Sequence, residues 1–187
     1  LYHVITRGND RQAIFHSPDD HSKFLSLLAS SKERLPFFLY AFCLMTNHVH
    51  LLIERQAATI GRVMHRLLTG YSQYYNRKYR TIGHVLQGRH RSILCQSDVY
   101  MGELVRYIHL NPVRARMVAR AEDYPYSSHR AYIGSEPGGI VDVDPVLRLF
   151  AANRSVAITE FKKYVQMGVK DRSIEEFHAA EDGRILG

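Results

Sequence analysis

The order of local patterns along the 187 residues is β-α-β-β-α-β, which predicts an α+β fold built on a ferredoxin-like antiparallel sheet with two helices on one face. Three observations carry this. Asn47-His48-Val49-His50-Leu51-Leu52-Ile53 reads as a strand with alternating faces, Phe37 to Met45 is almost continuously apolar, and two long stretches repeat apolar residues at helical spacing. A further helix and a helical C-terminal extension follow this core.

Tyr2-His3-Val4-Ile5-Thr6 is β-branched and aromatic, a first strand that ends at the turn Arg7-Gly8-Asn9-Asp10-Arg11. Two arginines around turn backbone suit phosphate oxygens, so Arg7, Asn9 and Arg11 are candidate polyanion contacts; an ordinary turn with solvated charges explains them equally well. Ser17-Pro18-Asp19-Asp20 starts a helix with a cap, an early proline and acids near the positive end of the dipole. Phe24, Leu27, Leu28 and Leu35 give it an apolar stripe, and Pro36 stops it. Phe37 to Met45 reads as a central strand, and Thr46-Asn47 is short enough to join it to the histidine strand as an antiparallel hairpin. The second helix is expected from about Thr59 to Arg77, with Tyr71 and Tyr74 as core, and a β-like stretch from His84 to Gln96 completes the sheet. Ser97-Asp98 caps a helix from Val99 to about Leu110. Pro112 then ends its regular pattern, and Asn111 can cap a short following helix, 112 to 118. After a turn and short helix around 123 to 132, Ser135-Glu136-Pro137-Gly138-Gly139 is the clearest linker. It divides a domain over 1–134 from an extension over 135–187, where Asp144-Pro145 and Ser155 start helices, Gly168 closes the second, and 173 to 180 is a weaker third.

Composition narrows the class. The chain is 45% apolar, has no run of membrane-spanning length and no secretory leader pattern, so a cytoplasmic location with no membrane partner is expected. Leu1 is not an initiator Met, and an upstream start is expected. Cys43 and Cys95 show no paired spacing, which argues against a disulfide scaffold or zinc ribbon. The net charge of +7 is unevenly placed: residues 1 to 135 hold 18 basic and 9 acidic side chains, whereas 136 to 187 hold 7 and 9. A basic body with a mildly acidic tail suits nucleic acid, whose condensed counterions Lys and Arg displace.

His48 and His50 fall on one face of their strand, with Val49, Leu51 and Ile53 on the other. Two imidazoles side by side are a platform for a metal, although with 11 histidines in the chain the pair alone gives about even odds. Tyr107 and Asn111 lie four apart and share one helix face. If that face lies over the histidines, the site gathers two nitrogens, one neutral oxygen and a phenol, leaving coordination positions for phosphate oxygens and water. The phenol is then a nucleophile, and its phosphotyrosine product keeps the bond energy for rejoining strands.

Leu44-Met45-Thr46-Asn47-His48-Val49-His50-Leu51-Leu52 together with Tyr107-Ile108-His109-Leu110-Asn111-Pro112-Val113-Arg114-Ala115 resembles the HUH single-tyrosine transposases of the IS200/IS605 type, particularly their REP-associated relatives. Arg7-Gly8-Asn9, Gly88-Arg89-His90 and Tyr126-Ser127-Ser128 extend the similarity across roughly residues 1 to 134. The resemblance implies an HUH fold with a catalytic helix, a divalent metal such as Mg2+ or Mn2+, and single-stranded DNA, often a hairpin, as substrate. It implies His48 and His50 as ligands, Tyr107 as nucleophile and Asn111 as third ligand. Tyr100, on the same stripe, is the rival nucleophile. Arg89, His90, Arg91, Arg114 and Arg116 are candidate DNA contacts. Two other readings stand beside this one: a non-catalytic module that grips structured DNA, and a metal phosphohydrolase using water. Whether the tyrosine helix serves its own sheet or a partner's in a homodimer stays open.

Overall fold

The structure, a computed structural model, describes residues 1–95, 99–135 and 139–169. The chain runs β1 (Tyr2–Arg7), α1 (Pro18–Arg34), β2 (Phe37–Met45), β3 (His48–Arg55), α2 (Ile60–Tyr79), β4 (Arg91–Leu94), α3 (Val99–Arg114), α4 (His129–Tyr132), α5 (Asp144–Leu147) and α6 (Arg154–Met167). The four strands form one antiparallel sheet in the order β2-β3-β1-β4, as the βαββαβ pattern requires, and the histidine strand β3 is interior.

Register decides which side chains share a face. Arg7 lies opposite His48 and Ile5 opposite His50, while Ile5 also faces Arg91 across β4. Directly opposed residues of antiparallel strands point the same way, so His3, Arg7, His48, His50 and Arg91 occupy one face. Val49, Leu51 and Ile53 point to the other and are fully buried, on the side where α1 and α2 pack against each other. Each such side chain contributes roughly 1.5–3 kcal/mol by leaving water.

α1 and α2 are also tied by a buried carboxylate. Asp20 accepts from the His16 and Ser17 N–H groups at 2.7 and 3.0 Å, from the Tyr74 and Tyr79 hydroxyls at 3.0 and 2.6 Å, and from Lys78 Nζ at 2.7 Å. Burial alone would raise its pKa, but the bonds from Lys78, Tyr79, His16 and Tyr74 hold it well below the ordinary carboxylate range. Tyr71 is core as expected, its hydroxyl donating to the Ile14 carbonyl at 2.6 Å.

Three local expectations are corrected. β2 is at the sheet's edge rather than central. It reads as interior because a later segment covers that edge: Leu44 N–H donates to the Tyr126 carbonyl at 2.9 Å, Ser128 N–H to Phe42 at 3.0 Å and Asp142 N–H to Leu39 at 2.8 Å. The last strand is only Arg91–Leu94, since Gly88 with φ 58° turns the preceding chain into a loop anchored by buried Val85 and Leu86. Finally, α3 runs unbroken through Pro112 to Arg114, so Asn111 is a helix-interior residue and not a cap. Buried Tyr107, Ile108, Leu110 and Pro112 hold the helix together where local propensity would end it.

The extension packs onto this core. Val143, Val146, Leu147, Ala157, Phe161 and Val165 belong to the same apolar cluster, and Lys32 pairs with Asp142 at 2.6 Å. Gly168 follows α6 as expected. The expected cap at Ser97-Asp98, the linker residues 136–138 and the weak helix over 173–180 lie outside the described residues. Among those described, no helix is long and apolar enough to cross a membrane.

Candidate active site

α3 lies across the face of the sheet opposite α1 and α2, contacting β2 and β3, and this brings the two sequence motifs together. The Tyr107 ring meets His50 edge-on, with centroids 5.9 Å apart and planes at 87°. His48 and His50 are 4.9 Å apart by the same measure, as expected for residues two apart on one strand. Asn111, one turn beyond Tyr107, turns its Nδ2 back to donate to the Tyr107 carbonyl at 3.0 Å, and that fixes the carboxamide beside the phenol's own helical turn. Arg114, seven residues on, sets its guanidinium 5.1 Å from the Tyr107 ring centre. Tyr100, the rival, is 40% exposed and outside this group, whereas Tyr107 is fully buried.

The donor set suits a divalent ion. His48 is held neutral down to about pH 4, first by burial and then by the charge of Arg7 beside it. Asn47 Oδ1 lies 2.7 Å from His48 Nδ1, so Nδ1 is the donor and the lone pair sits on Nε2. That is the form an imidazole takes as a ligand. Among the described residues no three His, Cys, Asp or Glu side chains gather as a metal cluster. An amide oxygen, as Asn111 carries, is a donor that hard divalent ions such as Mg2+ and Mn2+ accept alongside water.

One ring in the site was missed in the sequence. His3, 1% exposed, places Nε2 3.0 Å from His50 Nδ1, stacks on that ring at 21°, and meets Tyr107 edge-on at 5.8 Å. Period-two alternation already put His3 on the face of Ile5 and Arg7. Only the β1–β3 register, with His3 opposite Leu52, shows that this face is the histidine face.

The candidate DNA contacts divide. Arg7, Arg89 and Arg91, with Gln87, line one cleft of about 460 Å3 along β1 and β4, next to His48. His90 lines a second, larger cleft of about 720 Å3 between α2 and the 83–90 loop, and Arg89 borders both. Asn9 and Arg11 stay in the turn after β1, where the Arg11 carbonyl accepts from Asn47 Nδ2 at 3.0 Å, which also steadies the residue that orients His48. Arg116 is exposed beyond the end of α3, with φ 57°.

Similarity to known proteins points the same way. A Haemophilus influenzae protein provisionally named a REP-associated tyrosine transposase is 28% identical over 127 residues, covering 62% of this chain and 72% of the relative. The solved structure of a REP-associated tyrosine transposase bound to a REP hairpin superposes with a TM-score of 0.62 at 15% identity, covering 76% of this chain and 87% of that one, which shows a shared fold. A protein from Deinococcus radiodurans R1, provisionally called a transposase, reaches a TM-score of only 0.44 at 17% identity over 57% of this chain and 86% of its own, too low to carry an argument. The sequence profile described as "Transposase IS200 like" matches residues 1–111, more than half of the chain, and spans β1, the paired histidines and the tyrosine helix: the protein belongs to the IS200-like transposase family.

Proposed function

We propose that the protein nicks and rejoins single-stranded DNA beside a hairpin through a covalent 5'-phosphotyrosine at Tyr107. The observation that carries this reading is the packing of the Tyr107 ring against His50, with Asn111 on the same helical stripe. His48, His50 and Asn111 would hold a divalent ion, Mg2+ or Mn2+, which draws charge from the scissile phosphate. The Tyr107 oxygen, losing its proton, bonds to phosphorus as the P–O3' bond breaks and a free 3'-hydroxyl leaves. Because the new ester keeps the energy of the old one, a 3'-hydroxyl can attack in return and release the tyrosine. Arg114 places positive charge near the ring, and Arg7, Arg89 and Arg91 line the cleft along which the strand's phosphates would lie. A hairpin substrate is supported by the fold shared with the hairpin-bound relative.

The test is incubation with an end-labelled single-stranded hairpin and Mn2+, read as an SDS-resistant protein–DNA complex. The complex should form with the wild type and vanish with Tyr107→Phe while hairpin binding persists. An adduct that survives in that variant would end the assignment. One observation favours a second reading: Tyr107 and His50 have no exposed surface, as suits a module that binds structured DNA without cutting it. That reading predicts hairpin binding with no adduct from the wild type at any metal concentration.

A further inference from the structure

We propose that His3 is a positioning residue that holds His50 as the Nδ1–H tautomer, with the lone pair at Nε2 where a metal ligand needs it. The argument starts from the 3.0 Å separation of His3 Nε2 and His50 Nδ1. One proton fits between two facing imidazole nitrogens, so the contact has two forms. When His50 Nδ1 donates, its Nε2 is a lone-pair donor. When His3 Nε2 donates, the His50 proton sits on Nε2 and the ring cannot ligate through that atom. Ligation through Nε2 therefore requires His3 to be the acceptor.

The surroundings favour a fixed arrangement. His3 is 1% and His50 0% exposed, so neither ring has water as an alternative partner for the shared contact. Both are carried on adjacent paired strands, whose ladder fixes their separation, and their planes differ by only 21°. His3 also meets the Tyr107 ring edge-on at 5.8 Å, so one imidazole sets the attitude of the proposed ligand and of the proposed nucleophile. His48 receives the same service from Asn47 at 2.7 Å, but from a neighbour in sequence; His50 gets it from 47 residues away. Outer partners of ligating histidines typically change metal affinity about 10- to 100-fold when removed.

The direction of the His3–His50 contact is taken from the reading of His50 as a ligand, so this inference rests on that reading, but the tautomer itself can be read without any metal. The experiment therefore has two readouts on the full chain. In long-range 1H–15N imidazole spectra of metal-free protein, His50 should show the Nδ1–H form in the wild type and in His3→Gln, whose side-chain oxygen can accept the same proton. It should lose that preference in His3→Phe. Calorimetric Mn2+ affinity should drop about 10- to 100-fold in His3→Phe and be largely retained in His3→Gln, with both variants melting cooperatively. An Nε2–H form of His50 in the wild type, or equal Mn2+ affinity in His3→Phe and the wild type, overturns the role of His3. A wild type that shows the Nδ1–H form but binds no Mn2+ overturns the metal reading, and the spectra still decide for His3.

Discussion

On the helical side of the sheet, Asp20 collects five donors around one carboxylate; on the other side, the rings of His3, His48, His50 and Tyr107 pack against one another. Both groups are buried, yet they are resolved in opposite ways. Asp20 keeps its charge because Lys78 neutralises it and neutral donors solvate it, so the cluster is complete and joins α1 to α2. The histidines give up their charge: burial holds His3 at about 4 and His48 at about 4, leaving neutral rings with nitrogen lone pairs. A buried polar group saturated within the fold serves the fold, and one left as a neutral donor set has capacity for something brought in from outside.

The sharpest way to break this contrast is Tyr107→Phe. It should abolish the covalent adduct entirely and leave the melting temperature nearly unchanged, measured on the same preparation. Asp20→Asn should do the reverse. Stranding several buried donors costs about 3 kcal/mol in urea-monitored stability, while hairpin affinity of the folded fraction holds. Loss of adduct formation without loss of stability in that variant would erase the distinction between the two sides.

Acid separates them by pH. Below about pH 6.5 the unfolded chain protonates histidines that the folded protein keeps neutral at about 4, namely His3, His48 and His129. The unfolded state then binds more protons, so stability should fall from pH 6.5 toward 4 by up to about 1.4 kcal/mol per pH unit for each such residue. The Asp20 contribution is fully present above its unfolded value of 3.8 and declines only below it. Thermal melts from pH 8 to 3 should show the histidine limb first, and Asp20→Asn should remove only the lower limb. The smallest effect belongs to the cleft: Arg89→Ala should weaken hairpin binding and lower the salt-dependence slope by about 1. A flat salt response in the wild type would contradict the basic-cleft argument.

Much of this was legible in the sequence. Alternation in 47–53 and helical stripes around Phe24 and Leu67 were enough for the order of elements, and i, i+4 spacing was enough to put Tyr107 and Asn111 on one face. What misled was anything decided at a distance. β2 looked interior because its edge is sealed by Tyr126, Ser128 and Asp142, some 85 to 100 residues downstream. Pro112 looked like a terminus because local propensity does not register burial between sheet and α6. His3 was invisible because no local pattern reveals strand register.

The unbroken passage of α3 through Pro112 sets a ruler beneath the chemistry. At 1.5 Å per residue, Tyr107, Asn111 and Arg114 are spaced over about 10 Å on a rod that does not fray between them. In the proposed reaction, a cut that must later be undone depends on both severed ends meeting again at the spot where they parted. There a stiff rod would keep that spot from wandering while the strand is open, and any adjustment to incoming DNA would have to shift the rod bodily over the sheet.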